Sequence, residues 1–119
     1  MKLTQKEQER LIIFDVAEIA RRRWKRGLKL NYVEATAIIC DEMLEMARDG
    51  RWTLSDLVET GSRIITEEDV MEGTAALMPG IDLEVLFPDG NKLVSIQDPV
   101  RLSTRAEGLG FDELLSMQY

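Results

Sequence analysis

The 119-residue sequence contains no histidine and one cysteine, Cys40. Without an imidazole the chain offers no Ser-His or Cys-His nucleophile pair, no histidine general base and no imidazole-ligated zinc or nickel. A lone cysteine closes no internal disulfide. No run approaches the roughly 18 uninterrupted apolar residues of a membrane span, and the opening MKLTQKEQER lacks the apolar core of a secretory signal, so the cytoplasm is the expected location. What remains is ordinary globular composition, 45% hydrophobic and 31% charged, sufficient for one domain around one modest core. A chain so equipped is expected to work without a catalytic centre of its own.

Charge is spread unevenly. Up to Trp52 there are 11 basic and 9 acidic residues, and from Thr53 onward 4 basic and 13 acidic, so a nearly neutral half precedes a strongly acidic one within a net charge of −7. The acidic half argues against nucleic-acid binding. The one basic run, Arg21 to Arg26, interrupted by Trp24, falls in the last turns of a predicted helix. There the helix dipole favours cations by roughly 0.3–1 kcal/mol each. A phosphate patch and salt bridges to a partner protein are the competing readings of the run.

Thr4 with Glu7 makes a capping box that opens a first helix, followed by Leu11, Ile12, Ile13, Phe14, Val16, Ile19 and Ala20, with Gly27 as the stop. Asn31 with Glu34 opens a second through Ala37, Cys40, Met43, Leu44 and Ala47 to Gly50. The short linker between them predicts an antiparallel helical hairpin. A DNA-binding helix-turn-helix is disfavoured because the second helix sets Glu34, Asp41, Glu42, Glu45 and Asp49 against only Arg48. Apolar residues sweep roughly 220° of the first helix and roughly 200° of the second, against the roughly 100° that a helix lying on one core requires. Either these helices are wholly internal, or other chains cover part of them. Taking the second reading, Leu11, Phe14, Ile19, Trp24 and Ile38 are expected to contribute subunit contacts.

Shorter helices are expected over Leu54 to Gly61, capped by Thr53 or Ser55, and from Thr66 to Gly73. Glu68 and Glu72 read as solvated, dipole-favoured carboxylates rather than a cation site, which would need further ligands nearby. From Ile81 the period becomes two, and Pro88-Asp89-Gly90-Asn91 turns the chain into a returning strand from Lys92 to Gln97. Such a hairpin is marginal alone and must pack on the helices, and its edges are open to augmentation. The fold class is therefore α+β: a helical hairpin, shorter helices and a C-terminal β-hairpin. Beyond Asp98-Pro99, residues 101–119 form a separate extension, with Phe111, Leu114 and Leu115 at helical spacing in a piece too short to be stable unaided.

Several stretches, in order, resemble the urease gamma subunit family: Gly27 to Ala35, Ala47 to Gly50, Val70 to Gly73, Pro79 to Ile81 and Phe87 to Val94. The resemblance spans about residues 1–100. It implies a small α+β subunit that assembles with alpha-type and beta-type subunits, separate or fused, as a trimer of heterotrimers. The two nickel ions and every catalytic residue would then lie in alpha, and this chain would hold no cofactor. Its role would be structural, in a complex that hydrolyses urea to ammonia and carbamate.

The chain departs from the family pattern at Gln97, where members commonly carry a histidine, at Val33, where proline is usual, and at Thr74, where an apolar residue is usual. The residues from Arg101 onward exceed the usual length of a separate gamma subunit. They are expected to form an added interface segment that sets Phe111, Leu114 and Leu115 against a neighbouring subunit. Two alternatives stand beside the urease reading: the equivalent subunit of a urease-like amidohydrolase acting on another urea-like or guanidine-like compound, and a free-standing interaction module.

Overall fold

A computed structural model of the chain describes residues 1–109. Helix α1 covers Gln5–Lys25 and helix α2 Tyr32–Asp49, each opened by the capping box anticipated from sequence: Thr4 with Glu7, and Asn31 with Glu34. Each box satisfies amide donors that a helix start otherwise leaves free. Gly50, in the left-handed conformation at φ 80°, ends α2. Helix α3 covers Leu54–Gly61, and Thr53, not Ser55, is its cap, boxed with Asp56.

The helix expected from Thr66 does not form. A single 3-10 turn covers Glu67–Asp69, because the Asp69 carboxylate accepts hydrogen bonds from both the amide and the hydroxyl of Thr66 at 2.8 Å and closes the turn early. Val70 then runs parallel to Leu30 in an isolated bridge: Leu30 N–H donates to Asp69 O at 2.8 Å and Met71 N–H to Leu30 O at 2.9 Å. The segment is thus tied to the linker of the helical hairpin instead of coiling on itself. A second 3-10 turn follows at Ala75–Leu77.

Strands β1, Gly80–Phe87, and β2, Gly90–Gln97, make a two-stranded antiparallel sheet. Phe87 pairs with Gly90, so the connection is Pro88-Asp89 alone, tighter than the four residues expected. One face of the sheet, with Ile81, Val85, Phe87, Val94 and Ile96, is buried, and it packs on α2 and α3 while α1 packs on α2 from another side. The core is therefore centred on α2, whose Ile38, Ile39, Met43, Met46 and Ala47 are all buried.

Gly61 marks a close approach between α3, β2 and α2. A Cβ placed there would lie 2.8 Å from both Ile96 Cδ1 and Met43 Sδ, too close for a carbon contact at ordinary packing density. The substitution Gly61→Val is expected to destabilise the chain by about 1–3 kcal/mol through overpacking. Urea denaturation measures this, and an unchanged midpoint would contradict the packing described.

Candidate subunit interface

Helix α1 has two apolar faces of different character. Its inward face is built from Ala17 and Ala20, both fully buried, with Trp24 near its end at 7% exposure. The small alanines let α1 approach α2 closely. The large residues Leu11, Ile12, Phe14 and Ile19 point away from the core, exposed at 49%, 60%, 44% and 51%. At 100° per residue these four lie within about 160° of the helix surface, interspersed with Asp15, Glu18 and Arg22. Singly scattered exposed leucines are ordinary on a protein surface, but four large apolar side chains gathered on one side of a helix, even with charges between them, mark a candidate interaction site.

Of the residues expected to make subunit contacts, Leu11, Phe14 and Ile19 are on this outer face. Trp24 and Ile38 are not available to a partner, because both lie in the core cluster of the chain itself. Ile38 faces inward from the middle of α2, and Trp24 is held from within by its indole N–H, which donates to Asp69 Oδ1 at 3.0 Å. Phe111, Leu114 and Leu115 lie outside the described residues.

What frees the outer face is a seam of charge on the inner one. Arg10 donates to Asp41 at 2.6 Å and to Glu45 at 2.9 Å. Arg21 donates to Asp41 and, at 2.8 Å, to Glu42. Arg23 donates to Glu34 at 2.6 Å. Arg21 and Arg23 of the basic run thus meet acids of α2, in the same chain, rather than phosphate or a partner. The acidic character of α2, read from sequence as a reason to reject DNA, is the complement of these arginines.

Burial and pairing oppose each other along the seam. Burial works against the charge of Arg10 and of Arg21, and the facing carboxylates more than offset it, so both pKa values rise above the ordinary arginine value. Burial likewise works against the charge on Glu34, yet the Asn31 amide and Arg23 hold its pKa below the usual carboxylate range. At Glu42 burial wins: its pKa is raised despite Arg21, with Asp41 and Glu45 adding repulsion. Its second oxygen, Oε2, is buried with no hydrogen-bond partner among the described residues. Burial, reinforced by Asp41, also pushes the Cys40 thiol up to about 11, which leaves it protonated and inert at neutral pH.

A second polar centre joins the extension to the body. Asp69 receives the Trp24 indole, both donors of Thr66, and the Arg105 guanidinium at 3.1 Å. Arg105 also lies 4.5 Å over the Trp24 ring, an arrangement that adds a cation–π attraction. The Arg105 amide donates to Glu68 Oε2 at 2.7 Å, Leu109 N–H donates to Arg63 O at 2.9 Å, and Leu109 is buried. Residues 101–109 therefore pack on their own chain, whereas the sequence reading treated all of 101–119 as a segment for a neighbour. The role of Arg105 had no local signal in the sequence, since its partners are 36 and 81 positions away.

Further apolar side chains are exposed at two other places: Leu28, Tyr32, Val33 and Met71 around the α1–α2 linker, and Leu86 and Leu93 on the outer face of the hairpin. Among the described residues no group of three or more cysteine, aspartate or glutamate side chains is placed to hold a metal ion. Glu68 is engaged by the Arg105 amide. No helix among the described residues is long and apolar enough to cross a membrane.

Two measurements test the polar packing. The Arg105→Ala variant leaves the buried Asp69 carboxylate short of a charged donor and is expected to lose about 1–3 kcal/mol in chemical denaturation; a loss within the noise would place 101–109 off the body. Because the folded state raises the Glu42 pKa above its model-compound value of 4.5, it binds that proton more tightly than the unfolded chain. The stabilisation from this proton is present below pH 4.5 and is lost as pH rises through the raised folded value. Comparing unfolding free energies from pH 4 to 7, Glu42→Gln is expected to gain on the parent as pH rises. A constant or shrinking difference would show that Arg21 keeps Glu42 ionised at no cost.

Comparison with protein families bears on this arrangement of exposed and buried faces. Residues 1–100 match the family described as urease, gamma subunit, which covers the two helical layers and the hairpin and stops just before the docked segment around Arg105. The chain belongs to the urease gamma subunit family.

Proposed function

We propose that this chain is the structural, non-catalytic gamma-type subunit of a nickel-dependent urease complex, joined to alpha-type and beta-type subunits in a trimer of heterotrimers. The observation that carries the reading is the outer face of α1, where Leu11, Ile12, Phe14 and Ile19 stand exposed on a chain of this family. Covering such a face is favourable at roughly 25 cal/mol per Å² of apolar surface.

The donor set supports a division of labour. There is no imidazole for nickel, Cys40 is buried and protonated, and Asp41, Glu42 and Asp69 are engaged by arginines. Nickel, and with it the chemistry of urea hydrolysis, belongs in this reading to a companion subunit. The cytoplasm is the proposed location.

The test is copurification of the chain with its natural companions, followed by ammonia release from urea, biuret and guanidine compounds with nickel supplied. Urea turnover by the complex and none by the isolated chain is the expected result. Selective turnover of another compound would favour the related amidohydrolase, and a stable monomer without companions would leave the interaction module. A second measurement addresses the face itself. The double variant Leu11→Ser, Phe14→Ser is expected to shift the stability of the isolated chain by no more than about 0.5 kcal/mol per site while lowering recovery of companions. Full recovery would remove the α1 face from the interface.

A further inference from the structure

The β-hairpin has an edge that the fold leaves open. The ladder continues past β2 through Asp98 N–H, which donates to Pro79 O at 3.0 Å. With the register fixed, this makes Ile81/Ile96, Leu83/Val94, Val85/Lys92 and Phe87/Gly90 the hydrogen-bonded pairs, since bonded and non-bonded pairs alternate in an antiparallel ladder. The backbone groups of Asp82, Glu84 and Leu86 therefore point outward from β1, where the two-stranded sheet offers no neighbour, and no hydrogen bond to them is found among the described residues.

A groove of about 610 Å³ runs beside this edge. Ile13 of α1, Leu44 of α2 and Leu83 and Leu86 of β1 line it, among charged side chains that include Lys6 and Glu84. Lys6 reaches across it to Glu84 at 2.6 Å. The half-buried Ile13, Leu44 and Leu83 pack at the margin of the core without being closed over. On the solvent face, Asp82 and Glu84 give the edge an acidic character, and among the described residues Asp82 has only the Ser95 hydroxyl as a polar contact.

We infer that the outer edge of β1 accepts an extended strand from a companion subunit, making the hairpin a three-stranded sheet. The incoming strand carries apolar side chains at every second position, directed to Ile13, Leu44 and Leu83, and a cationic side chain on its other face beside Asp82. Backbone pairing supplies the attachment and the groove supplies the register. A long exposed edge is a liability in a free protein, and a third strand pairs it. The inference rests on the proposed subunit role and names one contact within it.

Proline substitution separates the two edges of the hairpin. Because Glu84 N–H points outward, Glu84→Pro removes a donor from the β1 edge without breaking a β1–β2 bond. Leu93, directly opposite Glu84 in the register, makes the same change on the outer edge of β2. In copurification with the companion subunits, Glu84→Pro is expected to lower recovery about tenfold or more, while Leu93→Pro and Glu84→Ala, which removes only the Lys6 ion pair, recover companions as the parent does. Amide exchange of the unaltered chain gives an independent reading: protection over 82–86 is expected to rise on assembly. Parent-like recovery of Glu84→Pro with unchanged exchange over 82–86 overturns the inference, as does loss caused by Leu93→Pro instead. Absence of any companion with the unaltered chain would instead overturn the subunit role.

Discussion

The closeness of α1 to α2 governs the rest of the molecule. Ala17 and Ala20 give up side-chain volume so that the helices meet, and Arg10, Arg21 and Arg23 fill the flanks of that contact by neutralising acids that α2 holds in or near the interior. Three of those acids, Glu34, Asp41 and Glu42, are buried. Removing such charges from water is expensive unless each is paired and hydrogen-bonded, so the geometry of the arginines is constrained. Glu42 shows the limit of the arrangement, because Arg21 serves both Asp41 and Glu42 and one oxygen of Glu42 has no donor among the described residues. With the middle of the inner face of α1 given to alanine and its flanks to arginine, Leu11, Ile12, Phe14 and Ile19 point outward.

The proposed subunit role rests on that division. A helix that spent Leu11, Ile12, Phe14 and Ile19 on its own core would leave a polar exterior and a self-sufficient monomer. Here α1 is a two-sided element, joined inward through Ala17, Ala20, Trp24 and its arginines and presenting apolar surface outward. The Asp69 centre has a comparable role at the other end, where it gathers Trp24 of α1, Thr66 and Arg105. It thereby fixes the end of α1 against the segment that follows the family domain.

Much of this was legible in the sequence because its determinants are local. The capping boxes at Thr4 and Asn31 bind residues three positions apart, the cap of α3 lies at one of two nearby candidates, Thr53 or Ser55, and the hairpin follows from alternation around Pro88-Asp89-Gly90. The excess width of the apolar sweep on α1 also pointed correctly to a helix with two apolar faces. Which face was inner was not legible: sequence hydrophobicity ranks Phe14 and Ile19 above Ala17 and Ala20, whereas close helix packing reverses the order. The same bias placed Trp24 and Ile38 at the surface contact, although Ile38 faces the core and Trp24 is anchored by Asp69. The helix expected from Thr66 failed because its carboxylates looked like first-turn residues, and only the distant pairing of Leu30 with Val70 shows why the chain stays extended there. Arg105 was invisible for the same reason, its partners being remote in sequence.

In the proposed complex the outer face of α1 is covered. Side-chain footprinting with a diffusible carbene reagent, applied to the isolated chain and to the copurified complex, tests it most directly. Strong labelling of Phe14 and Ile19 is expected in the isolated chain and protection of both on assembly, with Ile38 protected in both states. Equal labelling of Phe14 and Ile19 in the two samples would contradict it.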